Sequence, residues 1–213
     1  MSGLILKDLL NLKSYSKIIV LFVVIFGAVS FYSGSNANFF ANFFLMFFLM
    51  LTITTFSYDS SSKWELYAMS FPVGRKRIVL SKYVLALILT LAGFLVSVLL
   101  TLLTCLGQRS WEGLAAQGLS ALLVASGGLI TLSVVMPLVF RFGAEKSRFL
   151  MMLIFIIPWI GLSVFSQLQI DPMTIDMEQM FWWIMALAPV AAVVMLIISY
   201  LISCAIYERK DIE

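Results

Sequence analysis

Residues 83–106 read YVLALILTLAGFLVSVLLTLLTCL, a run without Asp, Glu, Lys or Arg. A helix of this length and apolarity crosses the hydrocarbon core of a bilayer, about 30 Å thick, without placing a charge inside it. Outward from this run, five more stretches share its character: 18–32, 39–56, 114–140, 149–168 and 181–205. The first is the shortest, and helix continuing back to Tyr15 makes it long enough to span. The expected fold class is an all-α integral membrane protein of six transmembrane helices, forming a single domain over residues 1–213. Pro137, Pro158 and Pro189 fall inside the last three spans, where neighbouring helices satisfy the freed carbonyls, and Pro158 near mid-span is the expected kink.

The whole composition agrees. Of 213 residues, 62% are hydrophobic and 12% charged, with a mean hydropathy of +1.05. Soluble domains have roughly 45–50% apolar and about 25% charged residues. No separate soluble catalytic domain fits beside six spans. Histidine is absent, which removes Ser-His and Cys-His catalysis, HExxH zinc sites and histidine proton relays. Cys105 and Cys204 both lie inside apolar runs and read as small hydrophobes. The expected topology puts them near opposite faces of the bilayer, too far apart for a disulfide.

Orientation follows from Lys and Arg, which cytoplasmic loops retain. Of the 14 Lys and Arg residues, all but Arg109 lie before the first span, between spans two and three, between spans four and five, or after the sixth. Both termini are therefore expected in the cytoplasm. The small residues Ala28, Val29 and Ser30 after an apolar run raise a signal peptide, but cleavage there would leave five spans with mismatched charge. The anchor is expected to stay. Ahead of it, Ile5, Leu6, Leu9, Leu10 and Leu12 share one arc of a helical wheel, and Lys7, Asp8, Asn11 and Ser14 the other. This predicts a short amphipathic helix lying in the cytoplasmic interface.

The richest chemistry lies between spans two and three, in SYDSSSKWELYAMSFPVGRKR over residues 57–77. Asp59 or one of the three following serines is placed to cap a helix, and Trp64, Tyr67, Ala68 and Phe71 follow at helical spacing until Pro72 and Gly74 stop it. A solvated loop accounts for the basic cluster Arg75 to Arg77 but gives less reason for three aromatic residues. Docking to a cytoplasmic partner is the expectation.

Three segments carry a family resemblance. They are Leu6-Lys7-Asp8-Leu9; the central stretch with Tyr58-Asp59, Lys63-Trp64-Glu65, Tyr67-Ala68-Met69-Ser70, Phe71-Pro72-Val73, Arg75-Lys76 and Lys82-Tyr83; and the ending Tyr207-Glu208-Arg209-Lys210-Asp211-Ile212. In these the chain resembles the permease subunits of ABC-2 type exporters, in particular the small six-helix half-permeases of bacteria and related cells. The resemblance implies a plasma-membrane protein with a coupling helix between helices 2 and 3 that fits a groove on a separate ABC ATPase subunit. Carried over by position, Asp59, Lys63, Trp64, Glu65, Tyr67, Ser70, Phe71 and Pro72 would couple ATP-driven closure to the membrane helices. No GxxxxGK[ST] phosphate loop is present, so this chain is not expected to be an enzyme; ATP and Mg²⁺ belong to the partner, and no cofactor or metal is expected here. Six spans are half of such a pathway, which implies a second permease half, as a homodimer or heterodimer. Membrane lipid is the remaining partner, and no nucleic acid is expected.

In the third span Thr90, Gly93, Ser97, Thr101 and Thr104 form one weakly polar stripe. Such a stripe serves close helix approach, and the functional reading is a wall of the translocation path made by Thr90, Ser97, Thr101 and Thr104. Inorganic ion pathways commonly use ionisable residues inside the membrane, and the six spans have none. An amphipathic substrate such as a peptide, exported by alternating access, suits them better. The external connection 169–180 is acidic and leads into Phe181-Trp182-Trp183, an interfacial aromatic anchor. The alternative is a six-helix substrate-binding subunit of a vitamin-type importer. That needs convergent polar residues in the outer half, where Asn36, Asn38, Asn42 and the third-span stripe are the few present. An intramembrane enzyme would need paired carboxylates or an activated nucleophile, which charge-free spans do not supply.

Overall fold

The computed structural model describes residues 2–13, 16–32, 37–62, 64, 67, 74–108, 114–143, 146–147 and 177–209. Six helices run through them: α1 Ser2–Lys13, α2 Ser16–Tyr32, α3 Ala37–Ser61, α4 Arg75–Gln108, α5 Leu114–Phe142 and α6 Met177–Arg209. Three stretches are long and apolar enough to cross a membrane, namely Arg75–Leu106, Leu114–Phe142 and Met185–Arg209. A fourth is obtained if α1 and α2, which meet at 65°, are taken as one broken span. The apolar part of α3, Leu45–Asp59, is shorter, and the expected span 149–168, with its proline kink at Pro158, lies outside the described residues. The chain is thus an all-helical integral membrane protein with three to four span candidates among the described residues.

The core gathers where four helices meet. Leu45, Leu49 and Phe56 of α3 pack with Val79, Tyr83 and Ala86 of α4, Leu132, Val135, Met136 and Phe140 of α5, and Leu196, Cys204 and Tyr207 of α6. A smaller cluster joins Leu12 of α1, Leu51 of α3, and Leu85 and Leu89 of α4, with Ile5, Ile19, Phe47 and Phe48 against it. Aromatic rings fix the register between neighbours: Phe22 of α2 stacks on Phe47 of α3 with centroids 4.9 Å apart, and Phe140 meets Phe56 edge-on at 5.3 Å. Outward, α6 presents Leu187, Val190, Val193, Ile197 and Leu201, the pattern of a helix solvated by lipid on that side.

Two glycines set how closely the helices approach. At Gly93 of α4 an added Cβ would stand 2.8 Å from the Cβ of Phe48, and at Gly128 of α5 it would stand 2.0 Å from Cδ1 of Leu49. Association inside a bilayer relies on such close packing because lipid tails are as apolar as leucine. Gly143, with φ of 82°, ends α5 in the left-handed conformation, its N–H donating to the Val139 carbonyl at 2.9 Å.

The two glycine contacts differ in what can yield. A Cβ at 93 meets the root of Phe48, whereas one at 128 meets the far end of Leu49. Gly93→Ala is expected to destabilise the protein by about 1–3 kcal/mol through overpacking, and Gly128→Ala by less. Thermal unfolding of the two purified variants in one detergent checks the order.

Candidate functional site

Described residues of the three sequence segments that stand apart from the apolar runs meet at one end of the bundle. Spacing of four puts Leu4, Asp8 and Leu12 in one row of α1, and that row faces the protein: Asp8 and Leu12 are buried and Leu4 packs on the main core, while Leu6, Leu9 and Leu10 are exposed. The structure therefore divides the arc of aliphatic residues read from the wheel and turns Lys7 and Asp8 inward rather than to water. What holds them there is charge. Lys7 Nζ lies 2.6 Å from Asp59 Oδ1 and 3.3 Å from Asp8 Oδ1, and Lys82 Nζ lies 2.8 Å from Asp8 Oδ2 and 2.5 Å from Asp59 Oδ2.

This is a closed square in which each charge touches both charges of opposite sign. It joins α1 through Lys7 and Asp8, the end of α3 through Asp59, and the start of α4 through Lys82. Asp8 and Lys82 side chains are only 1% and 5% exposed, Asp59 11% and Lys7 23%. At such burial a lone charge is costly, and two cations against two anions make the cluster neutral. Two aromatic faces complete it: Lys7 Nζ stands 3.9 Å from the centre of the Trp64 ring and Lys82 Nζ 5.2 Å from that of Phe56.

Asp59 does not cap a following helix. It lies inside α3, which runs to Ser61, and the Ser61 and Ser62 hydroxyls donate back to the Tyr58 carbonyl at 3.0 and 2.8 Å. The serines thus close α3 at its C-terminus. Beyond them, Trp64 and Tyr67 are helical. Trp64 packs against the main core, whereas Tyr67 is 64% exposed. Lys63, Glu65, Ser70, Phe71 and Pro72 lie outside the described residues. The ending of the chain joins the same face: Arg75 Nη1 donates to the Glu208 carbonyl at 2.6 Å, Lys76 pairs with Glu208 at 3.3 Å, and Tyr207 is buried edge-on against Phe140.

Directly after Lys82, Tyr83 carries the contact deeper. Its hydroxyl shares hydrogen bonds with Ser199 at 2.6 Å and Ser203 at 2.8 Å, both on α6, and Ser199 Oγ in turn donates to the Ser133 carbonyl of α5. These hydroxyls connect the charged square to α5 and α6, which contribute no charge to it. Sequence reasoning did not select Lys7, Asp8, Lys82, Tyr83, Ser199 or Ser203 as site residues. The available signal was position, since Lys7-Asp8 and Lys82-Tyr83 stand where charge meets an apolar run.

The third-span residues are all inside. Thr90, Ser97, Thr101 and Thr104 are buried. Thr90 Oγ1 donates to the Ala86 carbonyl at 2.7 Å and Thr104 Oγ1 to the Thr101 carbonyl at 2.8 Å. Thr101 also lines a cleft of about 320 Å³ between α4 and α5, with Gln117 and Ala121 opposite. Asn42 donates to Ser120 Oγ at 3.2 Å and so ties α3 to α5. Cys105 and Cys204 are free and buried. Among the described residues no group of three or more potential ligands is placed to hold a metal ion.

Removing one member of the square leaves an unbalanced charge. Asp8→Asn is expected to cost about 3–5 kcal/mol, whereas Lys76→Ala, at a solvent-exposed pair, should cost about 0–1 kcal/mol. Tyr83→Phe removes a buried interhelical hydroxyl and should cost about 1 kcal/mol. Equilibrium unfolding of the three variants in mixed micelles measures all of them.

Residues 3–208 match the family described as ABC-2 family transporter protein. No curated protein matches the chain. The match takes in all four residues of the charged square and Glu208. The chain belongs to the ABC-2 family of transporter membrane proteins.

Proposed function

We propose that this chain is the permease half of an exporter, moving an amphipathic substrate such as a peptide outward by alternating access while a separate ATPase subunit hydrolyses ATP. Family membership gives the coarser part: a membrane component of an ABC-2 transporter, not itself catalytic, whose family implies an ATPase partner. The observation that carries the finer reading is the division of labour in the segment after α3. Trp64 is held inward by Lys7 and the core, while Tyr67, three residues on, is 64% exposed. A segment anchored on one side and presenting an aromatic residue on the other is suited to transmit force from a docked subunit.

In this reading residues 63–72 form the coupling helix on the cytoplasmic side, with Lys63, Glu65, Ser70, Phe71 and Pro72 completing the surface. In the same reading the termini lie on that side, which the Lys and Arg distribution supports. A second permease half, identical or closely related, completes the pathway. Thr90, Ser97, Thr101 and Thr104 would border it at the α4–α5 side, where the cleft beside Thr101 and Gln117 supplies a small polar element in an otherwise apolar wall. Charge-free spans favour an amphipathic cargo over an inorganic ion.

The protein, tagged at its C-terminus and extracted mildly from its native membrane, should bring down a stoichiometric chain that carries a phosphate-binding loop. Trp64→Ala with Tyr67→Ala should insert normally and lose that partner or its coupling to transport. Unchanged substrate-dependent export by the double variant would overturn the assignment of the coupling helix.

A further inference from the structure

The square of Lys7, Asp8, Asp59 and Lys82 has a property that a simple ion pair lacks. Both residues contributed by α1 are of opposite charge, and so are the two contributed by α3 and α4. Each side is neutral alone, so the two sides can separate or slide without leaving net charge on either. At the same time Lys7 reaches Asp59 and the Trp64 ring together, at 2.6 and 3.9 Å. The leucines on the opposite face of α1, Leu6, Leu9 and Leu10, are exposed, and α1 passes at 65° into α2.

We infer that Lys7, Asp8 and Lys82 are positioning residues of the transport cycle: with Asp59 they form a joint that fastens the segment carrying Trp64 and Tyr67 to α1, and pass its displacement through α1 to the first membrane helix. Lys82 gives the same displacement a second outlet through Tyr83 to Ser199 and Ser203 of α6. The joint explains why charge is retained at 1–23% exposure when apolar residues of similar volume would pack as stably. Its transporting role rests on the coupling reading given above, whereas its fastening role is a property of this chain alone.

The two are tested separately. Lys7→Met with Asp8→Leu empties the α1 side while Lys82 and Asp59 keep each other, so no buried charge is left unbalanced; Lys7→Arg keeps the charge and serves as the conservative variant. In a background of Cys105→Ala and Cys204→Ala, spin labels at Leu10→Cys and Ser61→Cys, both exposed positions, report the α1 to α3 distance in nanodiscs without any partner. One narrow distribution is expected for the unaltered square and for Lys7→Arg, and a broadened one for the double variant. An unchanged distribution in the double variant would overturn the joint, whether or not an ATPase partner is ever found. With the ATPase subunit present, the double variant should keep nucleotide hydrolysis while transport per ATP falls about tenfold, the size of a typical energetic coupling. Full transport per ATP by a double variant with a broadened distribution would overturn the transmitting role and leave only a fastening one. Neutralising the exposed pair with Lys76→Gln and Glu208→Gln should move neither reading.

Discussion

Two lysines and two aspartates, nearly removed from water, must neutralise each other where the helices enter the membrane. Most of the arrangement around them follows from that requirement. Because Asp8 and Lys82 are 1% and 5% exposed, neither tolerates an unmatched partner, and α1 must lie with Lys7 and Asp8 toward α3 and α4. That orientation turns Leu6, Leu9 and Leu10 outward, where a bilayer surface accepts them and water would not. It also requires α3 to stay helical as far as Asp59, so that this carboxylate reaches both cations.

Away from the square, polar groups are few and nearly all are spent locally. Thr90, Thr104 and Ser126 donate to carbonyls of their own helices, as hydroxyls in an apolar medium do when no water is at hand. Among the described residues the interhelical hydrogen bonds away from the square include Tyr83 with Ser199 and Ser203, Ser199 with the Ser133 carbonyl, Asn42 with Ser120, and Arg75 with the Glu208 carbonyl. Lys82 and Tyr83 are adjacent in sequence, so the charged joint and the hydroxyl network share one turn of α4. Such a shared element gives a continuous physical connection between the loop region and the helices that pack around α6.

Much of this was legible in the sequence, for reasons that can be named. The apolar runs at 83–106, 114–140 and 181–205 were read from length and absence of charge alone, and they coincide with α4, α5 and α6. The resemblance to ABC-2 permeases rested on three short segments, and described residues of all three meet in space, Lys7 and Asp8 with Asp59 and Lys82, and Glu208 with Arg75 and Lys76. The facing of α1 was not legible, because a helical wheel separates polar from apolar residues but cannot distinguish water from a buried counter-ion as the destination of a charge. Ser61 and Ser62 were ambiguous for a related reason: serine hydroxyls close a helix at its C-terminus as readily as they begin one, and their donation to the Tyr58 carbonyl decides for the former. Asp59 read as a possible helix cap, but it lies inside α3 and its partners are 52 and 23 positions away along the chain, a distance no local pattern reveals.

The functional reading depends on where Tyr67 points when the transporter is assembled. A photo-crosslinking amino acid placed at position 67 in cells that make the native complex measures this directly. If the segment after α3 is the coupling helix, irradiation joins the chain to a polypeptide with a phosphate-binding loop, and bound nucleotide changes the yield. Crosslinks only to lipid or to proteins without such a loop would contradict it.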